Sequence, residues 1–140
     1  MSGERDLRTL LTSLRAQRQP GTYVFTVAPE GFGLDGVRPV VTVAESEGLT
    51  LVLAKEDADR LRLRYDYVAA WLTLRVHSAL DAVGLTAAVS GRLAERDISC
   101  NVVAGYHHDH LFVPADKADD ALAALDEMSV QAVQSGSRPR

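Results

Sequence analysis

The chain has 140 residues, 46% of them hydrophobic and 24% charged, with a formal net charge of −4. That length suits one domain or two small fused ones with a real core, and the mild acidity argues against a nucleic-acid partner. No run of about 18 apolar residues offers a membrane span, and the single cysteine, Cys100, excludes an internal disulfide or a multi-cysteine zinc site.

The N-terminal stretch MSGERDLRTLLTSLRAQRQPG is amphipathic without a continuous apolar run, so it is not a secretory signal, and a cytoplasmic protein fits. Leu7, Leu10, Leu11 and Leu14 recur at helical spacing and predict a helix from Glu4 to Arg18, ended by Pro20-Gly21. Thr22 to Val27 is β-branched and aromatic, hence a strand. Pro29 to Gly36 is a glycine-rich loop. Pro39 to Ala44 and Leu49 to Ala54 are two further strands, joined by a tight hairpin at Glu45-Ser46-Glu47-Gly48. A short helix follows at Lys55 to Arg62.

From Tyr65 a second series begins. Val68, Ala70, Leu72, Leu74 and Val76 alternate with Tyr67, Ala69, Trp71, Thr73 and Arg75, the period of a long strand. Leu85, Ala88, Val89 and Leu93 predict a helix over Val83 to Asp97. Ser99 to Ala104 and Asp109 to Val113 are strands turned at Gly105 to His108. Asp116 is placed to cap a helix whose apolar face is Ala118, Leu122, Leu125 and Met128, with Asp119 in its first turn. Ser129 to Gln134 reads as a short last strand and Ser135 to Arg140 as a frayed tail.

The second half is therefore β-α-β-β-α with a final β, the ferredoxin-like order. The first half is α-β-β-β-α and lacks a helix between its first two strands. The expected class is α+β: two ferredoxin-like units in tandem, antiparallel sheets with helices packed on one face, and strands exchanged or shared between the halves.

Two stretches carry candidate chemistry. The first strand–helix connection of the second half is His77-Ser78-Ala79-Leu80-Asp81-Ala82-Val83-Gly84-Leu85-Thr86. The opening N–H groups of the following helix have no intrahelical partner and favour an anion such as a carboxylate. Gly84 lets a ligand approach the backbone, and Asp81 offers an acceptor for an ammonium group. The same residues also fit a Ser78-x-x-Asp81 capping box with no ligand at all.

The second stretch is His107-His108-Asp109-His110. His108 and His110 face one way in an extended segment and suit a metal, provided His77 or Asp81 completes the ligand set. A His–Asp pair also suits acid–base work, although no nucleophile motif accompanies it. The plain reading is a polar turn. Cys100 reads as a small buried hydrophobe, Asn101 as a buried amide that pins the neighbouring turn or meets a ligand, and Trp71 with Tyr67 as core or interface.

The segment from His77 to Thr86, the run Ile98-Ser99-Cys100-Asn101-Val102-Val103-Ala104-Gly105-Tyr106, and His108-Asp109-His110-Leu111-Phe112-Val113-Pro114 closely resemble small bacterial ACT-domain proteins with two ACT-like units in tandem. Glu45-x-Glu47-Gly48-Leu49-Thr50-Leu51-Val52-Leu53 resembles the matching signature of their N-terminal unit. The resemblance runs from Leu7 to Met128. It implies an N-terminal ACT-like unit over residues 1–64, a C-terminal ACT domain over 65–134 and a disordered tail over 135–140. It further implies a regulatory rather than enzymatic protein, with no cofactor and no catalytic residues. The ligand would be a small amino acid, contacted by Leu80, Asp81, Ala82, Val83, Gly84, Leu85 and Thr86 and, on the adjacent strand, by Asn101, Val102 and Val103. Exposed sheet edges imply a homodimer, and a free-standing ACT protein would act on a separate, unidentified protein partner, store a signal, or have lost ligand binding. The alternatives from the residues themselves are a metal-binding enzyme or sensor built on the histidines, and an interaction module with no ligand.

Overall fold

The computed structural model describes residues 6–76 and 83–137, with side chains through Gln134. Asp6 opens helix α1 (Leu7–Ser13) by accepting the Thr9 backbone N–H at 3.1 Å and the Thr9 hydroxyl at 2.7 Å, the cap that a helix start requires. The leucine spacing predicted a helix through Arg18, but Leu14 is already extended and Ala16–Arg18 form strand β1. Pairing with Leu72–Leu74 overrides the helical period there. Leu10 and Leu14 nonetheless stay buried, because the extended segment continues into the same core.

The remaining elements are β2 (Tyr23–Val27), β3 (Val41–Glu45), β4 (Gly48–Ala54), α2 (Lys55–Arg60), β5 (Val68–Leu74), α3 (Leu85–Glu95), β6 (Asn101–Ala104), β7 (Asp109–Pro114), a 3-10 turn at Ala115–Lys117, and α4 (Ala118–Ser137). The β3–β4 hairpin pairs Glu45 with Gly48, leaving Ser46 and Glu47 at the turn as expected. Two predictions near the C-terminus fail. Asp116 lies within the 3-10 turn instead of capping α4, whose first turn carries Asp119 and Asp120. Ser129 to Gln134 are helical, and α4 continues through Ser137 into the expected tail. Contacts with α1 and with Arg15 just beyond it hold this part against the N-terminal segment. The Ser129 hydroxyl donates to the Thr12 carbonyl at 3.1 Å and accepts from Arg15 Nη1 at 2.9 Å.

All seven strands join one antiparallel sheet in the order β3-β4-β2-β5-β7-β6, with β1 also on β5. One edge of β5 meets both β2, at Val68 and Ala69, and β1, at Leu72 to Leu74. In a βαββαβ unit the fourth strand lies beside the first. For the N-terminal unit that place beside β2 is taken by β5. For the C-terminal unit the place beside β5 is taken by β1, from the start of the chain. The two halves therefore share β5 and exchange β1, which is why no last strand is needed after α4.

Register assigns the faces. Val24, Leu51, Leu53, Ala70, Leu72, Leu111 and Val113 lie on one face and form two cores with the helices. α1, α3 and α4 cover the C-terminal half. Ala58 of α2, with Phe32 and Val37 of the loop that replaces a helix, covers the N-terminal half. The opposite face carries Tyr23, Phe25, Val41, Val52, Ala69, Trp71, Val103 and Phe112. Among the described residues no helix covers it.

Candidate functional site

The predicted ligand residues divide three ways. Leu80, Asp81 and Ala82, with His77, lie outside the described residues. Val83, Gly84, Leu85 and Thr86 stand together at the start of α3. Gly84 is its N-cap in the left-handed region, at φ 103°, a conformation that glycine adopts without a Cβ penalty. Leu85 is buried in the core, whereas Thr86 is exposed and Val83 is 83% exposed. Leu7 of α1 packs over the glycine: a Cβ at Gly84 would meet Leu7 Cδ2 at 3.1 Å. The helix contributed by the N-terminus thus borders this turn.

Asn101, Val102 and Val103 do not converge on it. Asn101 pairs with Phe112 and Val103 with His110, so their side chains share the open face of the sheet, away from α3. Val102 points the other way and packs in the helix-side core. Asn101 is exposed, not the buried amide expected. Ser99 and Asn101 instead approach the Tyr67 hydroxyl. They moderate the upward push that burial gives the Tyr67 pKa, without reaching hydrogen-bond geometry. The expectation failed because strand register, which decides the face, depends on the pairing of β6 with β7.

The histidine hairpin resolves residue by residue. His110 is half-buried on the open face, and its Nδ1 accepts a hydrogen bond from Trp71 Nε1 at 3.0 Å. The Thr73 hydroxyl lies 3.1 Å from the same nitrogen. Burial, with His108 adding to it, holds the His110 pKa below its ordinary value, while burial raises that of Asp109. The His107 ring meets Tyr106 edge-on, 5.1 Å between centroids. Among the described residues no three His, Cys, Asp or Glu side chains converge as metal ligands. Cys100 packs partly against the core, and burial pushes its thiol up to about 11.

Sequence reasoning missed the aromatic cluster on the open face. Tyr23 meets Trp71 edge-on at 5.3 Å, Phe25 meets Phe112 at 5.6 Å, and Trp71 stacks on Phe112 at 6.1 Å. The signal was present in β5, where the second alternating set also holds the apolar Ala69 and Trp71, as in a strand that is partly covered on both faces.

Matches to the ACT domain span residues 2–70 and again residues 67–127. The chain belongs to the ACT-domain family. The overlap of the two ACT matches runs into β5, the strand that both units use. ACT domains are typically amino-acid-binding regulatory modules. No curated protein matches at a significant level.

Among solved structures, this ACT protein is similar to a Vibrio cholerae protein of unknown function described as a possible transport protein. The identity is 44% and the TM-score 0.78, covering 88% of this chain and 95% of that one. An Agrobacterium tumefaciens protein is similar at 20% identity and TM-score 0.62, covering 83% of this chain and 89% of its own. The regulatory subunit of aspartate kinase from Thermus thermophilus shares the fold at 10% identity and TM-score 0.61, over 81% of this chain and 95% of that one. Among the described residues no helix is long and apolar enough to cross a membrane.

Proposed function

We propose that this ACT-domain protein is a regulatory module that takes up a small amino acid at the turn entering α3. The observation that carries this reading is Gly84, held at φ 103° as the N-cap of an 11-residue helix. The first N–H groups of that helix have no intrahelical acceptor and, with the helix dipole, suit a carboxylate. The ammonium falls to Asp81 or to backbone carbonyls of the same turn. An amino acid seated there would touch Leu7, on the helix that the N-terminal segment lends to the C-terminal unit. Occupancy would thereby bear on the junction between the two units. The edge strands β3 and β6 leave backbone groups for a second copy, and a homodimer formed at such an edge is part of the proposal. A single, half-buried free cysteine suits a cytoplasmic setting.

Thermal denaturation against the common amino acids tests the proposal. A ligand at about 100 times its Kd adds about 2.7 kcal/mol of stability, and the response should disappear in Gly84→Ala. A flat response across the panel would remove the ligand and leave the interaction module.

A further inference from the structure

The open face of the sheet holds a groove of about 690 Å³, within the size range of small-molecule sites. Tyr23, Val41, Trp71 and Val103 line it together with Arg38 and His110. It is distinct from the Gly84 turn, which lies at the start of a helix packed on the other face.

Its polar groups are few and defined. The Trp71 indole nitrogen can only donate, so His110 Nδ1, which accepts from it at 3.0 Å, must be unprotonated. The Thr73 hydroxyl accepts from Gln19 Nε2 at 2.9 Å and lies 3.1 Å from the same Nδ1, to which, with that nitrogen unprotonated, it can only donate. A neutral His110 ring therefore carries its proton on Nε2. That nitrogen lies over Gly105, where a Cβ would approach it to 3.2 Å, and it has no hydrogen-bond partner among the described residues. Arg38 likewise makes no ion pair among the described residues. A fixed N–H donor and an unpaired guanidinium thus border an aromatic wall in which Tyr23 stands edge-on to Trp71. Among the described residues no Asp or Glu lines the groove, so an ammonium group would find no carboxylate counter-charge from them there.

We propose that this groove binds a small organic carboxylate with an aromatic or branched apolar body and no amino group. The carboxylate meets Arg38 and the His110 Nε2–H, and the body lies against Trp71 and Tyr23. Arg38 is exposed on the segment leading into β3, so it can turn inward to the ligand without repacking the core.

Trp71 is the single tryptophan of the chain, so its indole N–H resonance reports on this site alone. Titration with phenylacetate should shift that resonance saturably, and phenylacetamide should bind at least about tenfold more weakly, the worth of one charge-assisted hydrogen bond. Arg38→Gln should bring phenylacetate down to the amide's affinity with an unchanged melting temperature. The absence of a saturable shift up to about 10 mM phenylacetate, which corresponds to a negligible affinity, would overturn the proposal, and so would equal binding of acid and amide. Phenylalanine moving the Trp71 resonance as tightly as phenylacetate would also overturn it, because the groove would then be an amino-acid site. The amino-acid response that depends on Gly84 is read separately, by thermal denaturation.

Discussion

Trp71 and His110 are joined across β5 and β7 by a single hydrogen bond of 3.0 Å, and Trp71 is the donor. Protonating His110 would set a second N–H against the indole N–H and break this bond. The geometry therefore agrees in sign with the lowered pKa, for which burial is the main cause.

The pH dependence follows from that sign. Below the ordinary histidine value of 6.5, the unfolded chain takes up a proton that the folded chain still refuses, so stability falls as pH drops from 6.5 toward the folded pKa. His108 and Arg75 reinforce the shift and Asp109 opposes it. Asp109 itself has a raised pKa and contributes the opposite slope at lower pH, lost as pH rises through its folded value. Urea unfolding of the parent and of His110→Gln should therefore show a smaller fall from about pH 8 to about pH 5.5 in the variant. An equal fall in both would assign the slope to other groups.

Two glycines on the same helix should respond in opposite directions. Gly84→Ala places a side chain at φ 103°, against Leu7, and should cost about 1–2 kcal/mol. Gly91 lies mid-helix in α3, and a Cβ there meets open space. Gly91→Ala should stabilise by up to about 1 kcal/mol. Urea midpoints measure both.

The exchange of β1 predicts that the halves are not separable at the 64/65 boundary. A fragment of residues 65–134 would lack Leu10 and Leu14 from its core and β1 from the edge of β5. It should be unfolded by circular dichroism, whereas the full chain is folded. Within the full chain, Leu10→Ala should cost about 2–5 kcal/mol, as expected for a fully buried leucine.

Cys100 should be unreactive. With its thiol pushed up to about 11 by burial, its thiolate fraction at neutral pH is about a hundredfold below that of a free cysteine. Alkylation by iodoacetamide should be slower by that factor in the native protein and return to the free rate in urea.

Alternation and spacing gave the element types over most of the chain, because β5, α3 and the β3–β4 hairpin carry their periods locally. The errors cluster where a distant partner decides. The four leucines of the N-terminus are helical by spacing, yet Ala16–Arg18 extend because β5 has an open edge for them. Ser129 lies in a helix, held against the N-terminal segment by Thr12 and Arg15 at its hydroxyl. Asn101 looked like a partner of the Gly84 turn because both stretches resemble ACT motifs, and only the register of β6 on β7 shows that they face opposite sides of the sheet.

The sequence by itself determined the ACT-type character of both halves, the glycine at the helix start and the absence of a multi-cysteine site, since each is written in contiguous residues. The tertiary structure alone decided that the halves share β5 and exchange β1. It also set Trp71, His110 and Arg38 around one groove. Strand order and register arise from pairings between segments up to about half the chain apart, and a period-two pattern shows that a strand has two faces without showing what lies across either one.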